Sequence, residues 1–275
     1  MFRLLNIEFH KLKHNRASKV LIITYFILLT STALIAAIKF NFAEIQFHLA
    51  EMGIFNFPYI WHLNTFLSAT IKFFLLLVIV SMMANEYSNK TLKQNLIDGL
   101  SKKEFILSKF YTVVVFALIS TIFVFFVSLI LGLIYSDFTE PAIIFSDLEY
   151  ILAFFVKLVG FFSFGLFLGI LVKRSAFAVG AMVVWLIVES FIKGMLHWKT
   201  DFTVSKIMQF FPLESMANLI KEPFTRFPSI KSVASRIGED LSKDVSVHFS
   251  DILIVCVWTF IFIYLSYRLL KRRDL

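Results

Sequence analysis

Four ionisable residues, Lys72, Lys157, Glu189 and Lys193, stand inside long apolar stretches of this 275-residue sequence. A charge at membrane depth is costly, so such residues pair with one another or mark the route of a polar group. Asn64, Ser68 and Lys72 recur every four residues and predict a polar stripe down one helix face. Lys157 and Glu189 lie sixteen and fourteen residues from the ends of the turn Lys173–Ser175. In antiparallel neighbours rising about 1.5 Å per residue they reach nearly equal depth, which predicts an ion pair. Lys193, one turn from Glu189, competes for the same carboxylate. Two roles stay open for these residues: pinning helices together, or lining a pathway. For Lys72, which has no evident partner, a dimer interface is a further one.

No catalytic set accompanies them. The sequence holds no Ser/His/Asp grouping, no His-Glu-x-x-His and no intramembrane carboxylate dyad. His10 and His14 have the i, i+4 spacing of a metal-ligand pair but no carboxylate or cysteine to complete it, so no metal site is expected. Gly160, Gly165 and Gly169 form a small-residue strip suited to close helix packing.

The elements that position these residues follow from composition. The chain is 59% hydrophobic, with 35 Phe against 9 Gly and 5 Pro, and a mean hydropathy of +0.81. This excludes collagen-like, disordered and disulfide-rich classes. The lone Cys256 lies in an apolar run and reads as a buried, inert thiol. A bilayer core of about 30 Å needs about 20 apolar residues per helix. Scanning at that length gives six spans, about 20–40, 61–83, 110–135, 151–172, 176–196 and 252–270, in an all-α membrane protein of one domain. The apolar run from Val20 is too long for a signal-peptide core and reads as a retained helix.

Orientation follows from Lys and Arg, which cytoplasmic flanks retain. Bases gather in the N-terminal segment, in the second-to-third loop, at Lys173 and Arg174, and at the C-terminal end, with only Glu8, Glu86, Asp98, Glu104 and Asp274 among them. The loop with Asp137, Glu140, Asp147 and Glu149 has no base. Both termini are therefore expected in the cytoplasm. The net charge of +8 is a topology signal and gives no nucleic-acid footprint. Residues 1–18 set Leu5, Phe9 and Leu12 on one face with bases elsewhere, the pattern of an amphipathic helix in the headgroup layer.

One polar insert, residues 85–104, separates the second and third spans. Leu92, Leu96, Ile97 and Leu100 recur at helical spacing and predict a short amphipathic helix from Asn89 to Asp98. Asp98-Gly99 gives a helix stop. Ser101-Lys102-Lys103-Glu104 matches a capping box that starts the next helix. An apolar stripe on a loop needs something to cover it, which predicts a partner.

The string Glu86-Tyr87-Ser88-Asn89-Lys90-Thr91-Leu92-Lys93-Gln94-Asn95-Leu96, then Ser101-Lys102-Lys103-Glu104-Phe105 and Lys109, resembles the cytoplasmic loop of ABC-2-type transporter permeases. The resemblance extends to the basic amphipathic N-terminus, the six spans and the long external segment before the last, and so covers essentially the whole chain. Lys90 departs from it, standing where many members have glycine before the threonine. The resemblance implies a permease subunit whose coupling helix, through Glu86, Thr91, Leu92, Gln94, Leu96 and Ile97, docks on a separate ATP-binding cassette ATPase. ATP and Mg are then held by that partner and no cofactor by this chain, which has no Gly-x-x-x-x-Gly-Lys-Ser/Thr loop to cradle phosphates. It also implies a second permease, in a homodimer or heterodimer, membrane lipids as surroundings, the plasma membrane of a bacterium (the inner membrane if Gram-negative), and export of a hydrophobic or amphipathic compound, lipid or peptide. Two alternatives stay open: a scaffold or sensor subunit on the same fold, and a membrane-embedded lipid-modifying enzyme. The external segment 197–250 contains a proline-started helix near Phe210–Ile220 that is expected to dip into the outer headgroup layer.

Overall fold

The computed structural model describes residues 2–37, 39–42, 45–48, 53–199, 204–226 and 244–273. Residue 38 of the first expected span, and residues 200–203 and 227–243 of the expected external segment, lie outside the described residues. The helices in chain order are α1 (Phe2–His14), α2 (Arg16–Ala37), α3 (Tyr59–Ile71), α4 (Phe73–Ser88), α5 (Thr91–Ile97), α6 (Lys102–Tyr135), α7 (Pro141–Ile144), α8 (Glu149–Val172), α9 (Ser175–Lys199), α10 (Val204–Met208), α11 (Pro212–Asn218) and α12 (Phe249–Lys271).

Four described helical segments are long and apolar enough to cross a membrane: Lys102–Tyr135, Pro141–Val172, Ser175–Trp198 and Phe249–Lys271. The pair α3 and α4 makes a fifth if it is one broken span, bent by 43°. The sequence predicts a single continuous helix over 61–83; the break falls at Lys72. Before it, Thr65 donates to the Trp61 and His62 carbonyls and Thr70 to that of Leu67, back-bonding of the kind that bends helices. Lys72 Nζ then donates to the Ala69 carbonyl at 2.9 Å, near the end of α3.

The first expected span also differs. Helix α2 stops at Ala37, and Lys39–Phe42 pairs antiparallel with Ile45–His48, Lys39 opposite His48. Phe40-Asn41-Phe42 and Ile45-Gln46-Phe47 alternate apolar and polar residues, the period of a strand.

Helix α8 is the centre of the bundle, packed against α3, α4, α6, α9 and α12. In its most apolar stretch 78% of the residues are buried, against 17% for α9 and for α12. An apolar circumference such as Phe161-Phe162-Ser163-Phe164-Gly165-Leu166 suits a helix with protein on every side. The glycines let neighbours approach. A methyl on Gly165 would clash with Cδ1 of Leu76 on α4, and one on Gly160 would lie 2.8 Å from Val255 on α12. Gly169 faces Met83 in the same way, 3.2 Å from its Cβ.

Helix α6, with 34 residues, is about 51 Å long, well beyond a bilayer core of about 30 Å. Its first turns lie at the end of the bundle that carries α1, α5 and the C-terminal end of α12. There Arg273 donates to the Tyr87 hydroxyl and to the Ile170 and Leu171 carbonyls at the end of α8. Lys102 in turn donates to the Arg273 carbonyl, so both described ends of the chain gather at one end of the bundle. Cys256, expected buried, is exposed on α12, which turns most of its apolar surface outward.

Candidate functional site

The polar insert folds from local signals. Asn89 ends α4, and Lys90 turns the chain in the left-handed region at φ 56. That is the position where glycine would have been unstrained. Helix α5 ends at Ile97, Gly99 turns at φ 95, and Ser101 opens α6 with both halves of the capping box in place.

This elbow is fixed to α1 by an ion cluster whose members read separately in the sequence, Glu8 and Lys11 as flanking charges, Lys109 as part of the loop resemblance and Glu86 as an expected ATPase contact. Lys109, fully buried on α6, lies 2.5 Å from Glu8 Oε2 and 2.6 Å from Glu86 Oε1. Lys11, half-exposed on α1, reaches the same Glu86 oxygen at 2.7 Å. The other oxygen of Glu86 accepts from Thr91 Oγ1 at 2.6 Å and Asn95 Nδ2 at 3.4 Å, both on α5. Two acids meet two bases, so the cluster is neutral overall. Burying charge is tolerated where it is paired and hydrogen-bonded on its remaining sides. The residues span α1, α4, α5 and α6, so four elements share one network. The sequence singles out the two acids without pairing them to Lys109: Glu8 is the lone acid of a basic segment, and Glu86 the first acid after the second apolar run.

The cluster revises the expected ATPase-contact set. Glu86 is buried inside it and Thr91 is its hydrogen-bond donor. Leu92 is 2% exposed in the main core, and Leu96 packs against that core. These four face inward because α5 lies against α4, so the chain itself covers most of the apolar stripe. Of the six expected contact residues, Gln94 and Ile97 are exposed, Ile97 at 75%, with Lys90, Lys93 and Asp98 beside them.

The expected intramembrane ion pair is not formed. Glu189 Oε1 accepts from Leu213 N at 3.1 Å and from Trp185 Nε1 at 2.5 Å, and its Oε2 from Glu214 N at 2.9 Å. Lys157 Nζ lies 3.4 Å from the Ala217 carbonyl and 3.5 Å from that of Ile220. Helix α11 lies between them, its amides better partners for a carboxylate than a distant ammonium. Lys193 pairs with Glu214 at 2.6 Å instead of Glu189. The expected polar stripe is split by the bend. Asn64 donates to Ser128 on α6 at 2.9 Å and lines a small cavity with Ser68, whereas Lys72 opens onto a different cleft. His14, of the expected histidine pair, is within 2.8 Å of the His10 carbonyl through Nδ1, so that nitrogen carries a proton and is used within α1.

The opposite end of the bundle holds a second unforeseen network. His62 stacks on Tyr150 with ring centroids 4.0 Å apart, and its Nε2 lies 2.9 Å from the Lys221 carbonyl. A ring nitrogen facing a carbonyl carries the proton, which leaves Nδ1 to accept from Arg226 at 3.5 Å. Arg226 pairs with Asp147 at 2.7 Å and lies over the Tyr59 ring. These contacts strap the 221–226 segment across α3 and the start of α8.

No group of three or more metal-ligating side chains occurs among the described residues. No curated protein matches this chain. A family model does match, over residues 20–275, and it covers every helix of the bundle except α1 and the start of α2. The chain belongs to the family described as a protein of unknown function, DUF2705.

Proposed function

We propose that this chain is the membrane-spanning permease subunit of an ATP-driven transporter of the ABC-2 type, exporting a hydrophobic or amphipathic compound, lipid or peptide. Helix α2, about 33 Å long over its 22 residues, is the first span. The bent pair α3–α4, then α6, α8, α9 and α12, supply the other five. The basic end with α1 and α5 faces the cytoplasm of a bacterial cell, and α1 lies along the membrane surface. ATP and Mg belong to a separate ATPase subunit.

The observation that carries this reading is the construction of α5. A seven-residue helix bears one strongly exposed large apolar side chain, Ile97, while Glu86, Thr91 and Lys109 fasten its base to α1, α4 and α6. A push at Ile97, Lys93 and Gln94 therefore moves several helices together. A second permease would pack against α9, where all six residues from Val183 to Val188 are exposed. That stretch runs more than one full turn of helix, so α9 offers apolar surface on more than one side even where Trp185 touches Phe164 of α8.

The test is co-purification of the full chain from native membranes. A stoichiometric ATP-binding cassette ATPase is expected, lost with Ile97→Arg and retained with Phe138→Arg at the other end of the bundle. Recovery of the folded chain without an ATPase, or equal recovery with Ile97→Arg, sinks the reading.

A further inference from the structure

An open cleft of about 820 Å³ lies beside the break between α3 and α4, bordered by α8 and by the segment that follows α11. Four lysines line it: Lys72, Lys157, Lys193 and Lys221. Two acids, Glu222 and Asp244, share the lining. Their distribution leaves positive charge inside. Lys193 is matched by Glu214. Among the described residues Lys221 donates to the Asp244 backbone carbonyl at 2.9 Å, while the Asp244 carboxylate accepts from Ser246 and His248.

Lys72 and Lys157 have no carboxylate within ion-pair reach among the described residues. The ammonium of Lys72 has the Ala69 carbonyl and the face of Phe161, with 4.6 Å to the ring centroid. Lys157, which is buried, has two carbonyls at 3.4 and 3.5 Å, the long limit of a hydrogen bond. Carbonyls and an aromatic face hold an ammonium in place without neutralising it. Two such lysines on one cleft leave unmet demand for an anion. Phe66, Phe73, Ile220 and Val245 give the same lining an apolar part, beside the polar Thr70 and Asn218.

We propose that this cleft binds the anionic head of an amphipathic molecule, a phosphate or carboxylate on an apolar chain, between Lys72 and Lys157, with the chain lying along Phe66 and Phe73. The bend at Lys72 is part of the site, since it turns that lysine out of the Asn64–Ser68 face and toward α8. Binding is a property of this chain alone and does not depend on an ATPase partner. It is therefore distinguishable from the transport reading above.

The experiment uses the full chain in dodecyl maltoside, with dodecyl phosphate as probe and inorganic phosphate and dodecyltrimethylammonium as comparisons. Dodecyl phosphate is expected to bind, and Lys72→Gln or Lys157→Gln to weaken it by about tenfold each, the range of a charge-assisted hydrogen bond. Lys103→Gln, at the far end of the bundle, leaves it unchanged. Inorganic phosphate binds more weakly, because the apolar wall contributes nothing to it. Should either variant fold poorly, acetylation of Lys72 in the unmodified chain replaces it: dodecyl phosphate slows the reaction and dodecyltrimethylammonium does not. Equal binding by both folded variants, equal binding of inorganic phosphate, or acetylation of Lys72 at one rate with and without dodecyl phosphate overturns the proposal.

Discussion

Glu189 and Lys157 hold opposite ends of one short helix, with no ion pair between them. The carboxylate of Glu189 accepts two amides from the first turn of α11, and Lys157 lies near the carbonyls that leave it. The peptide dipoles of a helix favour an anion at the N-terminus and a cation at the C-terminus. Each charge thus meets an opposite partial charge about 10 Å from the other, across the seven residues of α11.

Glu189→Leu should therefore loosen α11 and little else. We expect a loss of about 1–2 kcal/mol, the size of a missing helix cap. Hydrogen exchange should speed up over Pro212–Asn218 while α8 around Lys157 stays protected. Exchange that rose along α8 as well would point to direct pairing of the two charges.

The ion cluster behind α5 gives the largest single effect. Lys109→Met leaves Glu8 and Glu86 buried with only the half-exposed Lys11 to match them. Breaking a buried pair in this way costs about 3–5 kcal/mol. Unfolding in mixed micelles should show it, and adding Glu8→Gln and Glu86→Gln to Lys109→Met should recover most of the loss. No recovery would mean that contacts of the Lys109 ammonium outside the cluster, such as the one over the Phe105 ring, set the cost.

Leu92 and Ile97, five residues apart on the same short helix, should respond in opposite ways. Leu92→Ala removes a core side chain and is expected to lower stability by about 2–4 kcal/mol. Ile97→Arg changes an exposed one and should leave stability within about 0.5 kcal/mol, while abolishing the ATPase association proposed above. Thermal unfolding beside co-purification separates the two.

Lys90 occupies the left-handed region at φ 56. A non-glycine residue pays roughly 1–2 kcal/mol there, partly offset by the greater freedom glycine has when unfolded. Lys90→Gly should raise stability by up to about 1 kcal/mol. A fall in the unfolding midpoint would show that the Lys90 side chain makes a compensating contact.

The parts of this molecule legible in the sequence were those written locally. Gly99 and the Ser101–Glu104 box act within a few residues, and their helix stop and restart lie where those residue types require. The apolar runs likewise marked α6, α8, α9 and α12 by length alone. The contacts of Lys109 and Glu189 were not legible. Lys109 meets Glu8 across 101 residues of chain, and nothing local distinguishes it from a lysine that only marks a membrane flank. Depth counting placed Glu189 and Lys157 level with each other, but it could not show that a seven-residue helix from the next segment would enter between them. The amphipathic stripe of α5 was legible as a stripe, whereas its covering surface was not, because burial depends on which neighbour arrives first.

Helix α8 is completed late. The side chain facing Gly160 most closely is Val255 of α12, and Phe164 stacks on Phe262 of the same helix. Helix α12 comes after α9, α10 and α11 in the chain, so during synthesis the centre of the bundle has one flank uncovered until α12 has been made. A chain released early through a premature stop would present that flank to whatever surrounds it.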